Sequence, residues 1–327
     1  MARLSLALSK DFDRDYPIGG EEVGHIQRFD SVEKIAGLGG EASLWILSWV
    51  PLGAVRSLGR FAGKMTYYLA RSRRKVALAN LDLAYGDLLS PSSKVAIAKS
   101  SFVNLVTTIL EFCYSPLIKR PMAELVALAN PDVFLKAYHE GKGIIVLVPH
   151  MGNWEVCGRW FAEQGIVHNA VVRRQKKRWV DRIVTSIRRT NRIIEIDKRN
   201  GLQKVLRALQ RGEMVSMLID QHAQREAVKV DFFGHPAMTH ASVALLAMRT
   251  GCKVIVCAGF RHPDGSFGGV FSDPIATTVS GNRDPDLVDN TQRYVTAIEA
   301  LVRQNPQDWM WMHRRWKTYK PPVAAPV

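Results

Sequence analysis

His150 and Glu155 are the residues whose types and spacing point most directly to chemistry. An imidazole can take a proton from a hydroxyl near neutral pH, and a carboxylate on its other ring nitrogen fixes the tautomer and raises its basicity. On one continuous helix a five-residue spacing rotates two side chains about 140° apart, and they could not meet. They meet only if His150 sits in a turn and Glu155 in the first turn of the following helix. Gly152 and Asn153 supply that turn. The pair would then be the base-and-orienter half of a triad whose nucleophile is a substrate hydroxyl. A hydrogen-bonded structural pair is the plainer reading of the same two residues. Metal binding is not expected, because no second His or Cys stands nearby at ligand spacing.

Positioning such a histidine requires a rigid element before it. Ile144-Ile145-Val146-Leu147-Val148 is a run of five aliphatic residues between Gly143 and Pro149, which predicts a strand buried on both faces. His150 would leave its carboxyl end, where open α/β sheets gather ligands, and Trp154 to about Gln164 would run on as a helix. Further strands are predicted at Asn169 to Val172, Ile193 to Ile196, Met214 to Ile219, Lys253 to Gly259 and Phe267 to Phe271, with an extended run at Val228 to Gly234. Helices are predicted at Trp179 to Thr190, Gly201 to Arg211, Val243 to Arg249 and Asp286 to Gln304. Upstream the pattern is helical from Leu44 to Leu89, from Lys94 to Cys113 with Ser90 as a cap, and from Met122 to Ala129. This alternation predicts an α/β fold, a central mixed and largely parallel sheet covered by helices, behind a helical N-terminal third. The boundaries read as an extension at 1–40, one domain at 41–320 whose first part, 41–90, associates with a membrane, and a disordered tail at 321–327.

The chain has 327 residues, 47% of them hydrophobic, enough to bury one large core. Its net charge of +15 implies an anionic partner without choosing among nucleic acid, phospholipid, a phosphorylated substrate and an acidic protein. Cys113, Cys157, Cys252 and Cys257 lie in apolar contexts without CxxC spacing, which fits reduced thiols facing a cytoplasm. The apolar run Ala42 to Val55 contains Pro51 and falls short of the ~20 residues of a spanning helix. With Trp45, Trp49 and the following Arg56, Arg60 and Lys64 it suits a bilayer interface, or else a buried hairpin. Arg71, Arg73, Arg74 and Lys75 form either a solvated helix face or a contact for anionic lipid.

Pro149-His150-Met151-Gly152-Asn153-Trp154-Glu155 resembles the histidine-x4-acid motif of the late lipid A acyltransferases, the lauroyl and myristoyl transferase family. Arg74 through Asn80-Leu81, Val171-Val172-Arg173 with Lys176, Arg211-Gly212-Glu213, Asp220-Gln221, Val230 to Gly234 and His313-Arg314-Arg315-Trp316-Lys317 follow in the family's order. The resemblance covers residues 45 to about 320 and implies a glycerolipid-acyltransferase-like fold. It implies that His150, with Glu155, activates a hydroxyl of a membrane glycolipid, such as a lipid A precursor, to attack an acyl-carrier-protein thioester. Negative charge develops on the thioester oxygen, and Arg173, at the end of its strand, is the expected cation there. Arg174 and Lys176 would contact phosphate, Asp220 and Gln221 would line the pocket, and Arg314 and Arg315 would bind lipid phosphates through their guanidinium forks. The expected partners are acyl-carrier protein, a glycolipid acceptor and an anionic membrane surface at the cytoplasmic face of an inner membrane, with no cofactor, no metal and no nucleic acid. Two rival readings are a phosphatidylinositol-mannoside-like acceptor and a basic nucleic-acid-binding protein.

Overall fold

In a computed structural model of the chain, Ile144–Leu147 is the central strand of a seven-stranded sheet, with all four side chains buried. The structure describes residues 49–262 and 266–319, together with Ala42, Ile46, Leu47 and Asp264. The predicted extension 1–40, most of the start of the apolar run and the predicted tail 321–327 lie outside them.

Three helices open the described chain: α1 (Leu52–Leu69), α2 (Arg71–Tyr85) and α3 (Pro91–Tyr114). Ser90 caps α3 as expected, its Oγ accepting the Ser93 N–H at 3.2 Å, with Pro91 at the first helical position. Helix α1 lies against α3 through Gly59 and Gly63, where a Cβ would come within 2.8 Å of Thr107 Cα and 2.5 Å of Val103 Cα. Only glycine permits that approach.

The predicted helix Met122 to Ala129 is not formed. A single 3₁₀ turn, Met122–Glu124, gives way to β1 (Val126–Leu128), whose backbone pairs with the far edge of the sheet. Pairing with a strand 140 residues away overrides the local pattern. Next come α4 (Pro131–His139), β2 (Ile144–Leu147), α5 (Trp154–Glu163), β3 (His168–Val172), α6 (Arg178–Thr190), β4 (Ile194–Asp197), α7 (Leu202–Gln210) and β5 (Met214–Met217). The extended run after β5 becomes a hairpin outside the main sheet, β6 (Ala227–Phe232) and β7 (His235–His240). The chain ends with α8 (Ser242–Thr250), β8 (Lys253–Arg261), β9 (Phe267–Phe271) and α9 (Arg283–Gln304).

The strand order is β1-β9-β8-β2-β5-β3-β4. Strands β8, β2, β5, β3 and β4 are parallel, while β9 runs antiparallel to β8, so the sheet is mixed and mostly parallel as the sequence predicts. Alternation along the strands sends Ile145, Leu147, Val215 and Val254 to one face, beneath α2, α7, α8 and α9. Ile144, Val146, Met214 and Ile255 go to the other, beneath α4 and α5. Each such aliphatic side chain contributes roughly 1.5–3 kcal/mol by burial. The carboxyl ends of the five parallel strands are thereby held rigidly side by side.

Candidate active site

Strand register decides what faces His150. Leu147 pairs with Met217 of β5 and with Val256 of β8. Carried three residues further, that register puts His150 beside Asp220 on one side and Gly259 on the other. His150 Nδ1 lies 2.8 Å from Asp220 Oδ1, and the His150 backbone N–H donates to Asp220 Oδ2 at 2.8 Å. Trp309 Nε1–H donates to the same Oδ2 at 2.9 Å. Burial pushes the Asp220 carboxyl up, but the charge and hydrogen bonds of His150, with the Trp309 bond, outweigh it and hold the pKa down to about 2. An ionised Asp220 requires the proton on Nδ1. That leaves Nε2 as an acceptor, and the Gln221 side-chain amide donates to it at 3.2 Å.

Glu155 does not fill the orienting position that its spacing suggests. The turn does separate His150 from α5, and Glu155 does lie in the first turn of that helix, but its carboxylate points to α6 and receives both Nε and Nη2 of Arg188. Arg188 also donates to Glu195 at 2.8 Å, and Arg174 joins Glu195 at 3.0 Å and Asp181 at 3.4 Å. Glu155 thus ends a chain of alternating charges that fixes α6 and β4 to the start of α5. Asp220, expected to line the pocket, is instead buried behind His150 and outside the cleft lining; its orienting role does not show in the sequence because the two residues are remote along the chain. The available signal is the pair of predicted strands, Ile144 to Val148 and Met214 to Ile219, each followed within two residues by a polar group, His150 and Asp220.

The turn after His150 is held from outside. Gly152 has φ +59, and a Cβ there would lie 2.4 Å from the Gly259 carbonyl, so glycine is required at this position. Ser101, Asn104, Thr108 and Glu111 of α3 recur at helical spacing and form one polar face toward the turn. Thr108 Oγ1 donates to the Gly152 carbonyl at 3.0 Å, Asn104 Nδ2 to the Asp308 carbonyl at 3.0 Å, and Ser101 Oγ to that of Trp309. Asn153 caps α5, its Oδ1 accepting the Val156 N–H, while its Nδ2 donates to Glu111 Oε2 at 2.8 Å. Glu111 is fully buried and accepts from Nη1 and Nη2 of Arg261, at 2.7 and 2.6 Å, and from Arg56 Nε at 2.8 Å. Asn80 of α2 ties the Trp311 and His313 carbonyls of the closing segment to the same body.

A cleft of about 2140 Å³ opens over the strand ends, with His150, Glu155, Arg173, Arg174, Lys176, Gln221 and Arg314 among its lining. Arg173 and Lys176 are exposed on its rim and make no side-chain hydrogen bond or ion pair among the described residues. Arg314 is exposed there too. Arg174 is instead engaged with Asp181, Thr185 and Glu195. Arg315 departs furthest from expectation. It is fully buried, donating to the Gln221 and Met238 carbonyls and to Thr239 Oγ1, with its guanidinium 5.1 Å from the centre of the Phe232 ring. Its fork is spent on fixing the loop that carries Gln221. Trp154 packs its ring edge-on to the His150 imidazole, 5.2 Å between centres, and also lines the cleft.

Part of the cleft lining comes from α5 and the strands under it: Val148, Cys157, Gly158, Phe161, Met214 and Cys257. His168 and Ser216 add polar groups to this part of the lining and bond each other: His168 Nδ1 donates to the Gly158 carbonyl at 3.1 Å and its Nε2 accepts from Ser216 Oγ at 2.8 Å. Burial pushes the Cys157 thiol up to about 12, so it is no thiolate nucleophile. Burial likewise lowers the His168 pKa from 6.5 to about 4. The folded state therefore binds fewer protons than the unfolded one between these values. The stability that neutral His168 contributes is present above pH 6.5 and lost as pH falls toward 4, by roughly 3 kcal/mol. Urea denaturation across this range should show that loss, and His168→Gln should flatten the slope.

Comparison with known proteins bears on this site. Residues 32–318 match the family described as bacterial lipid A biosynthesis acyltransferase. The chain is 24% identical over 285 residues to the lipid A biosynthesis lauroyltransferase of Escherichia coli K12, covering 84% of this chain and 89% of that one. It is 26% identical over 284 residues to a lipid A biosynthesis acyltransferase of Haemophilus influenzae, covering 82% and 86%. It is also 24% identical over 199 residues to the phosphatidylinositol mannoside acyltransferase of Mycolicibacterium smegmatis, 60% of this chain and 64% of that protein.

Proposed function

From the premise that this chain belongs to the bacterial lipid A biosynthesis acyltransferase family, we propose that it transfers a fatty acyl group from an acyl-carrier-protein thioester to a hydroxyl of a membrane glycolipid, with His150 as general base. The observation that carries this reading is the hydrogen bond of His150 to ionised Asp220, which leaves Nε2 basic at the floor of a cation-rimmed cleft. The acceptor hydroxyl displaces the Gln221 amide from Nε2 and gives up its proton there as its oxygen attacks the thioester carbon. The carbonyl becomes an oxyanion, the C–S bond then breaks, and the imidazolium returns the proton to the departing thiolate. The net reaction is ester plus thiol, with no redox change and no covalent enzyme intermediate.

Arg173 is the cation assigned to the oxyanion. It follows β3, level with Pro149 by strand register and two strands away, about 10 Å between backbones, within reach of an arginine side chain. Lys176 and Arg314 on the rim are assigned to acceptor phosphates. Asp220 and Gln221 set and cover the base, Arg315 supports Gln221 from behind, and Glu155, through Arg188, holds the helix that begins beside His150. Arg174 belongs to the same supporting ion-pair chain. The largely apolar part of the lining under α5 is assigned to the acyl chain.

The acceptor surface is a bilayer, and α1 suits it. Leu58, Phe61, Met65 and Leu69 recur at helical spacing and are 52%, 64%, 40% and 75% exposed, with Arg60 and Lys64 beside them. This supports peripheral or monotopic attachment to a membrane surface, and the acyl-carrier-protein donor assigned above puts that attachment at the cytoplasmic face of the inner membrane. Relatives named for lipid A and for phosphatidylinositol mannoside acylation make both acceptors part of one test. The purified protein is incubated with acyl-carrier-protein thioesters of several chain lengths and both glycolipids, and products are weighed by mass spectrometry. Acyl transfer is expected, falling about 10²- to 10⁴-fold in His150→Ala. Wild-type turnover in a folded His150→Ala protein would remove the general-base assignment.

A further inference from the structure

Helix α6 carries an outward row of cations that none of the chemistry above uses. Arg178, Arg182 and Arg189 stand at i, i+4 and i+11, which places them on one stripe about 16 Å long. Lys177 precedes the stripe and Arg192 follows it. All five are exposed, and none has a side-chain hydrogen bond or ion pair among the described residues. The carboxylates nearest in sequence face inward instead: Asp181 bonds Arg174 and the Gln175 N–H, and Glu195 bonds Arg174 and Arg188.

At its C-terminal end the stripe suits the helix, since Arg189 sits in the last turn where cations are favoured, but its N-terminal half does not. Lys177 and Arg178 sit at the positive end of the helix dipole, where acidic side chains are favoured. Arg178 and Arg182, one turn apart, repel each other. An external anionic surface relieves that repulsion and offers Lys177, Arg178 and Arg182 the opposite charge that Asp181, turned to Arg174, does not give them. We infer that this stripe is the docking surface for an acidic helix of the acyl-carrier protein, an inference that rests on the donor assignment made above.

Position and chemistry both favour a protein over a bilayer. The loop that leads into α6 supplies Arg173, Gln175 and Lys176 to the cleft lining, so a carrier lying along α6 has its thioester arm next to the entrance. Between Arg178 and Thr190 no large apolar side chain is exposed, whereas the α1 surface presents five, Tyr68 among them. A membrane-embedded helix needs an apolar face of that kind, and a charge-matched protein contact does not.

The test is Arg182→Glu combined with Arg189→Glu in the full-length protein, with folding checked by thermal melting. Transfer rates are measured with acyl-carrier-protein thioester and with the same acyl group on coenzyme A. The expected result is a KM for the carrier thioester raised roughly tenfold or more, with kcat and the coenzyme A reaction unchanged. An unchanged carrier KM, in a wild-type protein that prefers the carrier donor, overturns the docking surface while leaving the donor assignment intact. A wild-type protein with no preference for the carrier donor overturns the donor assignment and the docking surface with it. Loss of binding to phosphatidylglycerol vesicles without a change in carrier KM also overturns the proposal, by assigning the stripe to lipid.

Discussion

Asp220→Asn is expected to lower kcat by about 10³-fold or more while the protein still melts cooperatively near the wild-type temperature. The carboxylate accepts three N–H groups, from the His150 ring, the His150 backbone and Trp309. An asparagine can turn its oxygen toward the backbone and Trp309, since both bond the same carboxylate oxygen. Its NH2 group then faces His150 Nδ1. Two donors cannot share that contact, so the ring moves its proton to Nε2 and ceases to be a base toward the acceptor. Glu155→Gln acts differently, weakening a charge pair with Arg188 and leaving the imidazole tautomer alone. Its loss in kcat should be the smaller by at least tenfold. Steady-state rates of both variants decide the matter, and an Asp220→Asn protein with wild-type kcat would show that the tautomer is not set by this carboxylate.

Glu111→Ala is expected to be among the most destabilising single substitutions in the chain, at about 3–5 kcal/mol. Removing this carboxylate strands Arg261 and Arg56, whose side chains are largely buried, and takes the partner of Asn153 Nδ2. The cost is that of leaving buried charge unpaired, which exceeds the net worth of the intact cluster. The midpoint of urea unfolding should drop with little change in slope, since the surface exposed on unfolding is nearly the same. Glu111→Gln keeps the acceptor oxygen and should lose less. A Glu111→Ala midpoint indistinguishable from wild type would mean that the cluster is dispensable.

The elements that hold the site were legible where a local pattern and tertiary packing agree. The aliphatic run ending at Val148, the Ser90-Pro91 cap and the alternation after residue 143 each specify one structure, and each is found. Met122 to Ala129 misled because its apolar content suits either a helix or an edge strand, and only pairing to β9 decides between them. At the site, His150 was legible from its place after a strand, and the turn at Gly152-Asn153 from its residue types. The orienting carboxylate was not, because it comes from strand order, which places β5 beside β2. Nor was the fate of Arg315, since the same motif reads as an exposed basic end until the hairpin β6–β7 and Phe232 cover it.

The polar face of α3 has a further implication for how the protein can be divided. Together with the 3₁₀ turn after it, this helix is long and apolar enough to cross a membrane by composition alone. Yet Ser101, Asn104, Thr108 and Glu111 spend their hydrogen bonds on the segments that carry His150 and Trp309. A fragment beginning at the sheet would keep every residue assigned to the reaction and still leave the Trp309 carbonyl short of its side-chain donor and the Asn153 amide without its acceptor. The N-terminal helices are therefore no detachable anchor to be trimmed for a more soluble enzyme. They form the back wall of the turn that carries His150, so under the proposed attachment through α1 they would also set the orientation in which the cleft opens.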